Sequence, residues 1–350
     1  MYKLALCIPT YNRKSLLLQL LSEAVKQIRE SKNEQLVQIC ISDNCSSDDT
    51  CTMVEELKKA NPSVNIVFHQ NETNIGADRN YLMCMGLADA EFCWIMGSDD
   101  NLYEDAISNA LLKLSKNPTV DLLVVGREAC TYDMKHMYFE HFCSNHLLDR
   151  CFHGDNAEEI SCLFDGIDST TGLFGYLTTL IIRKEKWMSV NNYEDFFDTA
   201  YVHTYIVVTL LLNGGTVIYS QGVLVKSRFG NDSFYNSLSQ RIMTDIDGYG
   251  RIAKTIQNEK IREHFSASVR RHYCDVFLCM LALSDFENRH KKIEALQLLN
   301  YSKREINILK RKFKYPMCLK LVFYMLKLLI QNPVRWYRLV LVTLEKLKKR

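Results

Sequence analysis

Adjacent carboxylates stand at Asp99 and Asp100, directly behind the apolar run Phe92-Cys93-Trp94-Ile95-Met96. Two such groups at the end of a buried strand are costly unless a counter-charge neutralises them. A hard divalent cation with oxygen ligands would do so, and would in turn hold a diphosphate. The competing reading makes the same pair a cap for a helix over 102–115, a place where Asp is common. Asp43 and Asn44 close a second apolar run, Val37–Ile41, and Thr10 and Tyr11 close a third, Leu4–Pro9. Acidic and polar residues at three run ends favour a metal–diphosphate site over the cap, provided those ends meet in space.

The pattern around them says that they do. Leu4–Pro9 is a short continuous apolar stretch, as a strand buried on both faces requires. An amphipathic helix is expected from Ser15 to about Glu30, with Leu17, Leu20, Leu21, Ala24, Val25 and Ile28 on one side. Val37–Ile41 is the next strand, Thr50–Ala60 the next helix, and Ile66–His69 a third strand. Asn74–Asn80 opens another helix, and Phe92–Met96 is the fourth strand. Strand, polar loop and helix thus repeat four times, the signature of a doubly wound α/β sheet. Right-handed connections gather the loops after the strands at one edge, where ligands bind. No G-x-G-x-x-G follows the first strand and no G-x-x-x-x-G-K-[ST] occurs, which disfavours the dinucleotide fold and removes the P-loop NTPases.

Composition sets the frame. The 350 residues are 47% hydrophobic and 24% charged, with 14 Gly and 5 Pro, so a large core forms and disorder is not the main state. Thirteen cysteines include no C-x-x-C pair, which argues against structural zinc. Their odd number, and their place in apolar runs, point to free thiols in a reducing compartment. No secretory signal is visible, and no run reaches the roughly 20 apolar residues of a spanning helix. Residues 303–350 hold 14 Lys and Arg against 2 Asp and Glu, a balance of +12 that leaves −10 on the rest. That tail is also apolar at helical spacing over 317–330 and 334–349. It is read as a basic helix pair lying on an anionic membrane surface, the alternative being a basic helix packed on the domain. Nucleic acid is disfavoured, because the tail is hydrophobic and no recognition motif accompanies it. His136, His141, His146 and His153 are irregularly spaced and suggest a surface or acceptor loop. Residues 240–300 read as helical, with an apolar segment from Phe277 to Leu283.

Cys7-Ile8-Pro9-Thr10-Tyr11-Asn12-Arg13, Ser42-Asp43-Asn44-Cys45-Ser46-Ser47-Asp48, Asn74-Ile75-Gly76 with Asp78-Arg79-Asn80, and Gly97-Ser98-Asp99-Asp100 resemble, in words, order and spacing, the GT-A nucleotide-sugar-dependent glycosyltransferases of family 2. A thinner similarity runs through Tyr176–Trp187 and Gly230–Phe234, where the chain looks most like the abequosyltransferase-type enzymes of bacterial O-antigen assembly. The resemblance implies a GT-A fold: a Rossmann-like, mostly parallel sheet flanked by helices, with a helical C-terminal extension. The expected organisation is a nucleotide-sugar-binding and catalytic domain over 1–240, a helical extension over 241–302, and the basic amphipathic helices of 303–350.

By that resemblance Pro9, Thr10 and Tyr11 would line the nucleotide pocket with Asn44 and Ser98. Asp43 would accept a hydrogen bond from the base, and Arg79 would lie near the nucleotide or diphosphate. Asp99 matches the second Asp of the family's D-x-D motif, and with Asp100 it would hold Mg²⁺ or Mn²⁺ on the diphosphate. The first Asp of that motif is replaced by Gly97. The family's Glu-Asp pair at a helix start corresponds to Tyr201–Tyr205, where His203 stands at the Asp position. His203 is then the expected base, ahead of a helix over 206–212, with Asp198 and Asp195 as alternatives. Arg228 would close over the diphosphate with Asn231-Asp232 reaching a sugar, unless that loop is only a turn. Trp187 would stack on a sugar or sit in the core.

The expected activity is metal-assisted, inverting transfer of a sugar from a nucleotide-sugar to an acceptor hydroxyl. The acceptor would be a lipid-linked oligosaccharide of O-antigen or related surface polysaccharide, met at the cytoplasmic face of the inner membrane. Two alternatives share the fold: a catalytically weak nucleotide-sugar-binding assembly protein, and a sugar nucleotidyltransferase.

Overall fold

All four expected runs are strands, each slightly longer than its apolar centre: β1 Tyr2–Thr10, β2 Val37–Asp43, β3 Asn65–Gln70 and β4 Ala90–Ile95. The computed structural model describes residues 1–167, 169–230, 238–273 and 289–312, with short stretches at 329–330, 336–337 and 340. The loop Asn231-Asp232-Ser233, the segment Phe277–Leu283 and nearly all of the two tail helices expected over 317–330 and 334–349 lie outside the described residues.

Strand β1 runs parallel to β2 on one side and to β4 on the other, and β2 runs parallel to β3. Helices α1 (Lys14–Glu30), α2 (Thr50–Ala60) and α3 (Ala77–Gly86) make the three crossovers. Alternation along β1 feeds two cores. Leu4, Leu6 and Ile8 pack with α1 residues such as Leu17 and Leu20. Ala5 and Cys7 face the other layer with Cys40, Cys84 and Cys93. These four thiols are fully buried, and each described cysteine is free.

Beyond β4 the sheet becomes mixed, where a mostly parallel sheet was expected. Strand β9 (Leu180–Arg183) lies antiparallel between β4 and β6 (Leu122–Cys130). The long strand β10 (Thr216–Arg228) then runs parallel to β6. Short strands β5 (Asn101–Leu102), β7 (His136–Phe139) and β8 (Cys151–His153) complete the edges.

Two helix starts differ from expectation. The helix expected over 102–115 is α4, Ala106–Lys116, because Asn101 and Leu102 pair instead with Lys226 and Val225 of β10. Asp99 and Asp100 therefore do not cap it; Asp105 holds that position without a capping side-chain bond. After α5 (Ala157–Asp165) and α6 (Lys184–Met188), the helix expected over 206–212 begins earlier, as α7 (Val202–Leu212), so His203 sits in its first turn. Helix α8 (Leu238–Thr255) packs Ile242, Ile246 and Tyr249 into the same apolar cluster as Tyr201 and Phe174. Helices follow at Glu259–His272, Arg289–Leu298 and Lys303–Lys312. Among the described residues no helix is long and apolar enough to cross a membrane.

Candidate active site

The carboxyl ends of β1, β2 and β4 open into one cleft of about 540 Å³. Pro9, Thr10, Tyr11, Asn44, Ser98, Asp99, Asp100, His203 and Arg228 all line it, so the fold brings together nine of the expected residues. Arg13, Asn74, Asn80, Tyr176, Thr178 and Arg241 line it as well.

Amide side chains fix the wall behind β1 and β2. Asn44 Oδ1 accepts from Ile75 N at 2.9 Å and from Asn71 Nδ2 at 3.1 Å, while its Nδ2 donates to Asn74 Oδ1 at 2.8 Å. Asn80 donates to the Ser42 carbonyl at 3.0 Å and accepts the Ser42 hydroxyl at 2.7 Å. Asp43 does not line the cleft. It is fully buried below it, and its carboxylate accepts from Gln70 Nε2 at 2.8 Å and from the backbone and hydroxyl of Ser46.

Asp99 and Asp100 turn away from the helix and toward the cleft floor. Asp99 pairs with Arg13 at 2.9 Å. Asp100, 4% exposed, accepts from the Tyr176 hydroxyl at 2.9 Å, the Thr178 hydroxyl at 2.5 Å and the Arg228 backbone N–H at 3.1 Å. Burial, and then the charge of Asp99, push its carboxyl up to about 6. A Cβ on Gly97 would lie 3.2 Å from Asp99 Oδ1, Asp100 Oδ2 and Thr178 Oγ1. Glycine thus withholds a third side chain from the carboxylates. Among the described residues no three His, Cys, Asp or Glu are grouped to hold a metal ion by themselves.

Behind Asp100 lies an arrangement that the sequence reading missed. Arg127, on β6, is buried, pairs with Glu140, and places its guanidinium 3.9 Å from the Tyr176 ring. Glu140 also accepts from Thr171 at 2.7 Å. A lone Arg inside the apolar strand Leu122–Cys130 was the available signal, since buried charges need partners.

The arginines are committed differently from expectation. Arg228 is held under the Asp99 corner, its Nε on the Asp99 carbonyl at 2.7 Å, and its other nitrogens on Gln19 Oε1 at 2.9 Å and the Tyr132 carbonyl. Arg79 is not a cleft residue: it pairs with Asp198 at 3.2 Å and lies over Phe197 at 4.2 Å. Asp195 and Asp198 are both exposed and neither lines the cleft. Trp187 is 2% exposed and belongs to the core, where it cannot stack on a sugar.

His203 is the imidazole that lines the cleft among the described residues. It is 4% exposed, and its Nδ1 has no hydrogen-bond partner within the protein. Burial brings its pKa down to about 4; the nearby carbonyls of Gly175 and Phe174 oppose the shift without meeting Nδ1 in hydrogen-bond geometry. Nε2 lies 3.2 Å from the Thr204 hydroxyl, which itself donates to the Phe174 carbonyl at 3.2 Å. A hydroxyl that has given away its proton accepts from Nε2–H, which leaves the lone pair on Nδ1. Thr10 Oγ1 and Ser98 Oγ, also buried and also in the cleft, are likewise without a partner.

The chain has relatives in sequence and in fold. The sequence pattern of the family described as Glycosyl transferase family 2 matches residues 5–165. Over 277 residues the chain is 30% identical to the abequosyltransferase RfbV of Salmonella typhimurium, covering 79% of this chain and 80% of that one. A second relative, the GalNAc(5)-diNAcBac-PP-undecaprenol beta-1,3-glucosyltransferase of Campylobacter jejuni, is 32% identical over 116 residues, 33% of this chain and 36% of its own. Among solved structures, S. aureus TarS 1-349 in complex with UDP-GlcNAc superposes with a TM-score of 0.60 at 17% identity, covering 89% of this chain and 88% of that one. The mannosyltransferase PcManGT of Pyrobaculum calidifontis, in complex with GDP-Man and Mn2+, does so with a TM-score of 0.58 at 12% identity, covering 100% and 89%. These two likenesses speak for the fold.

Proposed function

Because the chain belongs to glycosyl transferase family 2 and is a glycosyltransferase, we propose that its cleft takes a nucleotide-sugar and passes the sugar to a hydroxyl of a lipid-linked oligosaccharide. His203 is the base, and Asp99 and Asp100 serve a divalent cation. The observation that carries this reading is the set of unpartnered polar atoms. Thr10 Oγ1, Ser98 Oγ and His203 Nδ1 all belong to residues of one cleft. A buried polar atom left without a partner costs about 1–3 kcal/mol, and a polar ligand bound in the cleft would pair all three.

The donor set at the cleft floor suits a hard cation. Two adjacent carboxylates offer only oxygen, and the burial and neighbouring charge that raise the Asp100 carboxyl would be offset by a cation beside it. Bound there, Mg²⁺ or Mn²⁺ would neutralise charge on the departing nucleoside diphosphate. Tyr176, Thr178 and the Arg228 N–H orient Asp100 toward it, and Arg13 balances Asp99. His203 stays neutral at physiological pH, so its Nδ1 lone pair is ready for the acceptor proton. A diphosphate beside the ring favours the imidazolium and raises its basicity when it is needed. Direct displacement at the anomeric carbon by the activated hydroxyl inverts its configuration.

The acceptor class follows the relatives' names, one of which carries PP-undecaprenol. The basic tail beyond Lys303 would then bring the cleft to the inner, cytoplasmic face of the membrane. The test is a melting-point screen of the purified protein against nucleoside diphosphates and their sugars with Mg²⁺ or Mn²⁺. A native-state ligand raises the melting point; one nucleotide should do so, and its sugar should be transferred or slowly hydrolysed. No response to any nucleotide, with or without metal, would overturn the reading.

A further inference from the structure

Three arginines line the cleft among the described residues: Arg13, Arg228 and Arg241. Arg13 and Arg228 belong to the Asp99 corner, as described above. Arg241 enters from the C-terminal helical part. Helix α8 seats it firmly: Ile242, Ile246 and Tyr249 are buried, and a Cβ on Gly248 would come within 2.4 Å of the Tyr201 ring. Tyr201 immediately precedes α7, which carries His203, so Arg241 approaches the cleft from the side of the base.

Its direction is set from below. Arg241 Nε donates to both carboxylate oxygens of Asp245 at 3.2 Å. Asp245 is itself buried and takes the Tyr273 hydroxyl at 2.6 Å. A carboxylate also anchored by a tyrosine, with an arginine one turn away on the same helix, ties the Nε edge of the guanidinium to α8 beside the cleft. Arginine's planar fork of N–H donors matches two oxygens of one phosphate.

We infer that Arg241 binds a phosphate group at the reaction centre. The inference rests on the transfer reading above. Phosphate reaches that point from two sources, the donor's diphosphate or the diphosphate of a lipid-linked acceptor, and the chemistry of recognition is the same.

The test uses the full chain with Mn²⁺. Calorimetry first finds the nucleoside diphosphate that the unaltered protein binds best, then compares it with the matching monophosphate. Farnesyl diphosphate, added with that nucleotide saturating, probes the acceptor side. Arg241→Ala should weaken one of the two diphosphates about tenfold or more. Loss for the nucleoside diphosphate, with the monophosphate unchanged, assigns the donor phosphate; loss for farnesyl diphosphate alone assigns the acceptor. Arg241→Lys, which keeps a charge beside Asp245 and guards against misfolding, should fall between. Unchanged affinity for both ligands in a folded variant overturns the inference. Failure of the unaltered protein to bind any nucleotide would instead overturn the transfer reading, and this inference with it.

Discussion

The Tyr176 hydroxyl stands 2.9 Å from both carboxylate oxygens of Asp100, and the Arg127 guanidinium lies over the same ring at 3.9 Å. Burial first, and then the Asp100 charge, push the Tyr176 phenol well up, so it remains a donor at any working pH. Glu140, Arg127, Tyr176 and Asp100 thus form a series from the β6–β7 edge to the cleft floor, Arg127 and Asp100 buried and the other two half-buried. Tyr176→Phe keeps the ring under Arg127 and removes only the donor. A hydrogen bond to a charged group contributes about 1.5–3 kcal/mol. Manganese-dependent nucleotide affinity, read by calorimetry, should fall roughly tenfold or more, with the nucleotide-free melting point little changed.

With Asp99 and Asp100 proposed as the cation's carboxylates, Asp99→Asn should abolish the metal-dependent part of nucleotide binding. EDTA should do the same to the unaltered protein, and added Mn²⁺ should restore it. Binding that ignores both treatments would remove the metal from the mechanism and leave Arg13 as the counter-charge at that corner.

His203→Ala should leave donor affinity intact and lower turnover roughly 10²–10⁴-fold. Near-normal turnover would remove His203 from the role of base. The residue also carries a stability signature. Its folded pKa of about 4 lies below the ordinary 6.5, so the unfolded chain binds the proton first. Its contribution is present above about 6.5 and is lost as pH falls toward 4. His203→Ala should flatten that part of the melting-point profile.

Asp78 has the opposite sign. Its Oδ2 accepts from the N–H groups of Thr199 and Ala200, at 3.1 Å each, and its Oδ1 has no partner within the protein. The turn it holds leads into α7 and contains Asp198 and Ala200 at φ 63° and 62°, left-handed positions that cost L-residues about 1–3 kcal/mol each. Burial first, and to a lesser degree the Asp198 charge, raise the Asp78 carboxyl to about 6. The folded state therefore holds this proton more tightly than the unfolded one. The resulting stability is present below about pH 4 and is lost as pH rises through 6. Asp78→Asn, which cannot ionise, should gain on the unaltered protein in melting point between pH 4 and 6, with a constant difference above. A difference that does not change with pH would show that Asp78 does not titrate there.

Truncation after Lys312 should release the protein from anionic vesicles while leaving it folded. Ile306, on the helix Lys303–Lys312, is buried in the main apolar cluster and is retained by that cut. Continued vesicle binding at low salt would place membrane contact elsewhere on the molecule.

The strand–loop–helix alternation of the first hundred residues was legible because burial periodicity is a local property. A strand buried on both faces must be apolar throughout, and a helix on a sheet must be apolar along one stripe. The meeting of Thr10, Asn44, Ser98 and Asp99 at one edge followed from the handedness of those repeats. The mixed half of the sheet, and the start of α4 at Ala106, were not legible. The first depends on β9, which comes back antiparallel between β4 and β6 from far along the chain, and the second on the pairing of β5 with β10, more than a hundred residues away. The commitments of charged side chains were hidden for the same reason. Arg79 turns to Asp198, Arg127 to Glu140 and Tyr176, and Arg241 reaches the cleft from α8. Residue type and spacing determined which groups could do chemistry. Which of them face the ligand, and which hold one another, was decided by tertiary packing, because a buried charge takes the partner that the fold brings near it, whatever the distance in sequence.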